Sequence, residues 1–241
     1  VGPAMGVTAE NVAARYGITR EAMDRYALQS QQRAATAINA NRFREEIVPV
    51  TVKNRNGEQQ IDTDEYPRQT SLEQLAALKA TFQENGSVTA GNASGMNDAA
   101  SGVIVMSEEK AQQLGCPTLC RIVSVGTTGV DPALMGIGPI SASRKALEKA
   151  GLTMEEVDLV EINEAFAAQT LACAQELGID QNKLNVNGGG ISLGHPVGAT
   201  GSRIVITLMN ELAKRHGRYG LATLCAGGGM GTAVVIENLV P

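Results

Sequence analysis

His195 is one of two histidines in the chain, and it lies in NGGGISLGHPVGATG, residues 187–201, just before Pro196. Glycines crowd both sides of it, and glycine is the residue that tolerates positive φ and close backbone approach. From Gly198 onward the pattern reads as helix, so the loop's N–H groups lie beside a positive helix end. An imidazole there suits acid–base work near neutral pH. Taken alone, such a loop reads more simply as a turn. A second stretch, LATLCAGGGMG at 221–231, places Cys225 at the end of an apolar strand before a glycine turn. That is where the active-site groups of α/β sheets gather. A third, EINEAF at 161–166, puts Asn163 at another strand-to-helix junction. A base, a thiol and a carboxamide at the ends of three strands are hard to call accidental.

These pieces carry a resemblance. NEAF at 163–166, GHPVGATG at 194–201 and CAGGGMG at 225–231 resemble the carboxyl-terminal signatures of thiolases, the acetyl-CoA acetyltransferases. NGSVTAGNASGMNDAAS at 85–101 and MGVTAENVA at 5–13 resemble further thiolase segments, in order and at family-like spacing. The resemblance implies a reversible reaction: thiolysis of a 3-ketoacyl-CoA, or Claisen condensation of two acetyl-CoA molecules. His195 matches the histidine that activates a nucleophilic cysteine, and Cys225 the second cysteine, which moves protons on the enolate and on incoming CoA. Asn163 matches an asparagine that orients a water in an oxyanion hole, and the Gly227 N–H half of a second such hole. A helix N-cap is the structural alternative for Asn163.

By the same resemblance, Ser94 contacts the pantetheine arm, Phe82 packs beside it, and Arg68 lies near the CoA nucleotide. Met5 and Met135 line a pocket suited to a short acyl chain. Coenzyme A is then a substrate, and no other cofactor or metal is implied. Acetyl-CoA or acetoacetyl-CoA are the expected small-molecule partners, within a homo-oligomer (dimer or tetramer). The chain opens at Val1, and none of its four cysteines stands in the family's nucleophile motif. It therefore reads as the carboxyl-terminal portion of a thiolase, with the N-terminal half and its nucleophilic cysteine absent as a missing partner. Such a chain is expected to be inactive alone. The rival is a non-catalytic CoA-binding or structural fragment.

Composition narrows the remaining classes. A chain of 241 residues, 43% hydrophobic, can bury a sizeable core. Its net charge of −5 carries no basic stripe, which argues against nucleic acid and anionic membrane surfaces. No run reaches the roughly 18 apolar residues of a membrane helix. Cysteines at 116, 120, 173 and 225 form neither a disulfide framework nor a zinc set, and point to a reducing, cytoplasmic compartment. The run NGGGISLG does not have the G-x-G-x-x-G spacing of a dinucleotide site, and the next strand ends in Cys225 rather than an acid. Ketoacyl synthases share the layered fold, but a cysteine before GGG favours the thiolase set.

The elements that must hold these groups divide at residues 96 and 116. Residues 1–96 read as a helix-leaning loop or cap domain: helix over 8–40 capped at Thr19, a strand from Glu46 to Val52, an Asn56-Gly57 turn, and a Ser71-capped helix. Residues 97–116 read as the last elements of the missing half, a Val103–Met106 strand and a short helix ended by Gly115. Residues 117–241 alternate: strand 119–126, helix 140–150, strand 157–162, helix 164–177, strand 184–187, helix 199–215, strands 220–225 and 231–239. That order predicts an α/β fold, a thiolase-like layered and largely parallel βαβαβαββ half, closed by an antiparallel hairpin.

Overall fold

Period-2 burial on one short strand explains the layering of the second half. In the computed structural model, which describes residues 3–55 and 57–240, β4 (Leu159–Ile162) is buried at every position. Val160 and Ile162 face one core, shared with Leu221, Ala233 and Val235 of β5 (Tyr219–Ala226) and β6 (Met230–Asn238). Leu159 faces another, shared with Ala222 and Ile236. A strand covered on both faces must read apolar throughout. The exception, Glu161, points to the same face as Leu159.

The first core is roofed by α5 (Gly138–Ala150) and α6 (Ala167–Leu177), the second by α8 (Thr200–Arg215) through Ile204, Leu208 and Leu212. The result is a helix–sheet–helix sandwich of strand order β3-β6-β5-β4, with β3 spanning Cys120–Gly129. The layered α/β architecture is as expected; the pairing is not largely parallel. Among the described strands of this sheet β4 pairs with β5 in parallel, while β3–β6 and β5–β6 are antiparallel. The short turn before β6 forces it to run back along β5, and β3 then adds to its outer edge.

Two other expected strands are not strands. Leu184 makes a single bridge to Val160, and the next residue, Asn185, sits at φ 43°. That left-handed backbone ends the extended geometry. The Asn185 side chain continues the ladder instead: Oδ1 accepts from the Ile162 N–H at 2.8 Å and Nδ2 donates to the Ile162 carbonyl at 2.9 Å. The run Val103–Met106 has no ladder, and Ile104 is 89% exposed. Extended chain without a strand beside it is not stabilised as sheet.

Ahead of the sandwich, α1 (Met5–Tyr16) and α2 (Arg20–Asn39) pack against α6, and Met23, Tyr26 and Ala27 enter the first core. The single helix expected over 8–40 is two. Gly17 ends α1 in the left-handed conformation and Thr19 caps α2 by accepting from the Ala22 N–H. The strand expected over 46–52 begins later, at β1 (Val50–Asn54), because residues 41–46 form turns. Its partner β2 (Gly57–Ile61) makes an exposed hairpin; Asn56 lies outside the described residues. Helices α3 (Leu72–Ala76), α4 (Glu108–Leu114) and α7 (Gly190–Leu193) are short, the first two capped by Ser71 and Ser107. Among the described residues no helix is long and apolar enough to cross a membrane.

The two halves meet on one buried carboxylate. Glu164, 1% exposed, accepts from Tyr26 Oη at 2.8 Å, Ser30 Oγ at 2.7 Å, Asn185 Nδ2 at 2.9 Å and the Ile191 N–H at 3.1 Å. It leaves no room at Gly189, where a Cβ would lie 2.5 Å from the carboxyl carbon. Gly189→Ala is therefore expected to cost about 1–3 kcal/mol of folding free energy by overpacking, read as a lower urea midpoint at unchanged slope.

Candidate active site

The imidazole of His195 is fixed at both nitrogens. Nδ1 lies 2.7 Å from Thr200 Oγ1, and Nε2 lies 3.3 Å from Asn163 Nδ2. The Thr200 hydroxyl donates its proton to the Pro196 carbonyl at 2.9 Å, four residues back in the turn that leads into α8. It must then accept from the ring, which puts the histidine proton on Nδ1. Nε2 is left as a lone-pair acceptor, and the Asn163 amide donates to it. Burial, then the charge of Arg203, holds the His195 pKa below the ordinary 6.5. The ring is thus neutral and basic at Nε2 near neutral pH.

Asn163 stands one residue beyond β4, where its N–H donates to the Thr223 carbonyl of β5 at 3.0 Å. It is no helix N-cap: α6 starts at Ala167, after Phe166. Helix cannot begin sooner because Phe166 is bridged to Ala93 and the Ala167 N–H donates to the Asn92 carbonyl at 2.9 Å. The Asn163 Oδ1 is buried without a protein hydrogen-bond partner. Two residues past Thr223 on β5, and so on the same face, Cys225 is 6% exposed. Burial pushes its thiol up to about 12, so it is a protonated acid at neutral pH.

One loop ties these pieces together. The Ser94 N–H donates to the Ala165 carbonyl at 3.0 Å, and the His195 N–H donates to the Gly95 carbonyl at 3.1 Å and to Asn97 Oδ1 at 3.3 Å. Residues 92–97 therefore form a main-chain strap from the Asn163 junction to the His195 loop. Gly194 admits it, with φ 98° and a Cβ position only 2.4 Å from Asn97 Oδ1.

Around Cys225 the buried apolar wall is Ala9, Val88, Ala93, Met135, Ala165 and Phe166. Phe82, partly exposed, meets the Phe166 ring edge to face at 6.2 Å. Met5 Sδ lies 3.8 Å from where a Cβ on Gly227 would be. The structure thus gathers Met5, Phe82, Met135 and Gly227 on the Cys225 side, with Ser94 half-buried in the strap. Arg68 is exposed and farther out. Its guanidinium stacks 4.8 Å from the centre of the Tyr66 ring, and Tyr66 packs beneath Gly95 of the strap. Sequence reasoning missed Thr200, Glu164 and Asn97. Thr200 carried a signal, a hydroxyl at the first turn of the helix that follows His195.

Comparison with known proteins settles the family. The family model described as "Thiolase, C-terminal domain" matches residues 116–238, and "Thiolase, N-terminal domain" matches residues 1–109. The chain belongs to the thiolase family. The second match overturns the expectation that the N-terminal domain is absent: residues 1–109, cap helices included, are N-terminal-domain sequence. The acetyl-CoA acetyltransferase of Syntrophomonas wolfei is 56% identical over 237 residues, 98% of this chain and 60% of that one. A probable acetyl-CoA acetyltransferase of Escherichia coli is 54% identical over 97% of the chain and 60% of its own length.

Among solved structures, the Bacillus anthracis acetyl-CoA acetyltransferase superposes with a TM-score of 0.96 at 51% identity, over 98% of this thiolase chain and 60% of its own. A human mitochondrial 3-ketoacyl-CoA thiolase in complex with CoA gives 0.91 at 47% identity, over 97% and 58%. The chain thus spans about 60% of the length of these relatives.

Two expectations follow for the ring. By NMR, the His195 side chain should carry its proton on Nδ1 and titrate below 6.5. Unfolded chain then takes up a proton that folded chain refuses, so this site weakens folding as pH falls below 6.5. Thr200→Val should remove the acceptor and shift the 15N pattern toward the Nε2–H tautomer.

Proposed function

We propose that this chain supplies the acid–base and CoA-contacting machinery of an acetyl-CoA C-acetyltransferase of the thiolase type. The observation that carries the reading is the His195 ring, held at Nδ1 by Thr200 and at its unprotonated Nε2 by the Asn163 amide. In thiolysis, Nε2 takes the proton of a cysteine nucleophile, whose sulfur attacks the 3-keto carbon. Cleavage of the C2–C3 bond releases an acetyl-CoA enolate, and the Cys225 thiol gives it a proton. The resulting Cys225 thiolate takes the proton of the incoming CoA thiol, whose sulfur takes the acetyl group from the nucleophile, and the released cysteine sulfur recovers its proton from His195. Condensation is the same path reversed.

A thiol held at about 12 is a weak acid, matched to strongly basic partners such as an enolate. Asn163 and the Gly227 N–H stabilise developing oxyanions. Residues 1–96 carry the CoA contacts: Ser94 and Phe82 hold the pantetheine arm, and Arg68 meets the nucleotide. Met5 and the buried Met135 restrict the acyl group to a short chain. The natural assembly is a homo-oligomer.

The nucleophile is not among the chain's own cysteines. Cys116 is exposed beyond α4, Cys120 opens β3 at the sheet edge, and Cys173 is buried on α6 with its Sγ donating to the Gly136 carbonyl at 3.4 Å. Residues 1–241 alone should accordingly give no acetoacetyl-CoA cleavage with free CoA. Robust turnover would make one of these thiols the nucleophile and overturn the assignment of roles. In an active enzyme built on this chain, His195→Ala and Cys225→Ala should each lower turnover by roughly 10²–10⁴, the scale of losing a general acid or base. CoA affinity by calorimetry should hardly change. Near-normal turnover of Cys225→Ala would move proton transfer to another group.

A further inference from the structure

One face of α1 does work that the proposed chemistry does not use. Gly6 and Glu10 lie four residues apart on that helix, and so on one side of it. Both meet the loop over residues 81–88. A Cβ on Gly6 would lie 2.1 Å from Cγ of Phe82, 2.2 Å from Cδ2 and 2.4 Å from Cδ1. Any side chain at position 6 would overlap the ring where it lies. Buried Glu10 pins the main chain that follows the ring. Its carboxylate accepts from the Ser87 N–H at 2.8 Å, the Ser87 hydroxyl at 2.6 Å and the Val88 N–H at 2.8 Å. The Thr81 N–H donates in turn to the Val88 carbonyl at 3.0 Å, which closes the loop beside Phe82. The ring also meets Phe166 edge to face, and Phe166 belongs to the wall around Cys225. Seated on both, Phe82 is still 41% exposed, which leaves part of it open to a ligand.

We propose that Gly6 is a positioning residue for the CoA substrate: by lacking a side chain it lets the Phe82 ring settle on α1 and Phe166, and so sets the surface against which the pantetheine arm packs. The inference rests on the reading of Phe82 as the pantetheine contact. In Gly6→Ala the loop cannot simply retreat, because Glu10 holds it at residues 87 and 88. The ring must instead turn outward. That breaks its edge-to-face contact with Phe166 and takes the apolar surface away from the arm. His195 and Cys225 are not touched by the change, so binding should suffer while the chemical step survives.

The test is calorimetric titration of residues 1–241 with CoA. Gly6→Ala should weaken binding about 3- to 10-fold, the worth of one aromatic contact. Phe82→Ala should weaken it to a similar extent, and the double variant should bind no more weakly than Phe82→Ala alone. Parental affinity in Gly6→Ala, beside a weakened Phe82→Ala, would overturn the proposal. So would losses that add in the double variant, since Gly6 would then act without the ring. A parent chain that does not bind CoA, or Phe82→Ala at parental affinity, would sink the reading of Phe82 and the proposal with it. Should Gly6→Ala not fold, the double variant, which removes the ring, should fold again. Failure of both to fold would place the clash elsewhere and overturn the seat. In the active enzyme, Gly6→Ala should raise KM for acetoacetyl-CoA by a similar factor while kcat stays within about twofold. A fall in kcat at unchanged KM would mean that the catalytic groups had moved, and would count against the proposal.

Discussion

Everything at the site hangs from the hydrogen bonds of one buried carboxyl group, that of Glu164, in the middle of the protein. Four donors from three separate stretches converge on it: α2 through Tyr26 and Ser30, the Asn185 turn, and the Ile191 N–H. Removing the acceptor would orphan buried donors at about 1–3 kcal/mol each, more than any surface contact supplies. Burial and the adjacent Glu164 hold the Tyr26 phenol well above its usual pKa, so it remains a donor. Because Glu164 follows Asn163 directly, the same contacts that join the halves also fix where the Asn163 amide points.

The second constraint is main-chain rather than side-chain. Residues 92–97 donate to and accept from the backbone of residues 165–167 and 195. The strap therefore sets the spacing between a carboxamide at the end of β4 and an imidazole ahead of α8. Neither the sheet nor the helices alone would do so. Thr200 then selects the ring tautomer, with its own proton spent on Pro196. Positioning and protonation are handled by different elements, which is why one loop glycine (Gly194) and one helical hydroxyl both belong to the site.

Much of this was legible in the sequence where local chemistry decides it. The helices that end at Gly115, Gly151 and Gly178, and the caps at Thr19 and Ser71, follow from residue type. The signatures around Asn163, His195 and Cys225 identified the family, and the hairpin of β5 with β6 followed from its glycine turn. The rest was decided at long range. Nothing local says that β3 will add antiparallel to β6, or that Asn185 will replace a strand with its side chain. Val103–Met106 has strand composition, yet composition cannot supply a neighbour to pair with. Glu161 within an otherwise apolar strand could be read only once α8 was seen to bring Arg203 over it.

Asn185 has one further consequence. By capping the outer edge of β4 with an amide side chain, it leaves no run of free N–H and C=O groups there for another chain to extend. A carboxamide satisfies the donor and acceptor of Ile162 at one stroke, something no charged edge residue could do. The sheet is thereby finite on that side, with the Val160 N–H and C=O taken by the main chain of Lys183 and Asn185 and those of Ile162 by the Asn185 side chain.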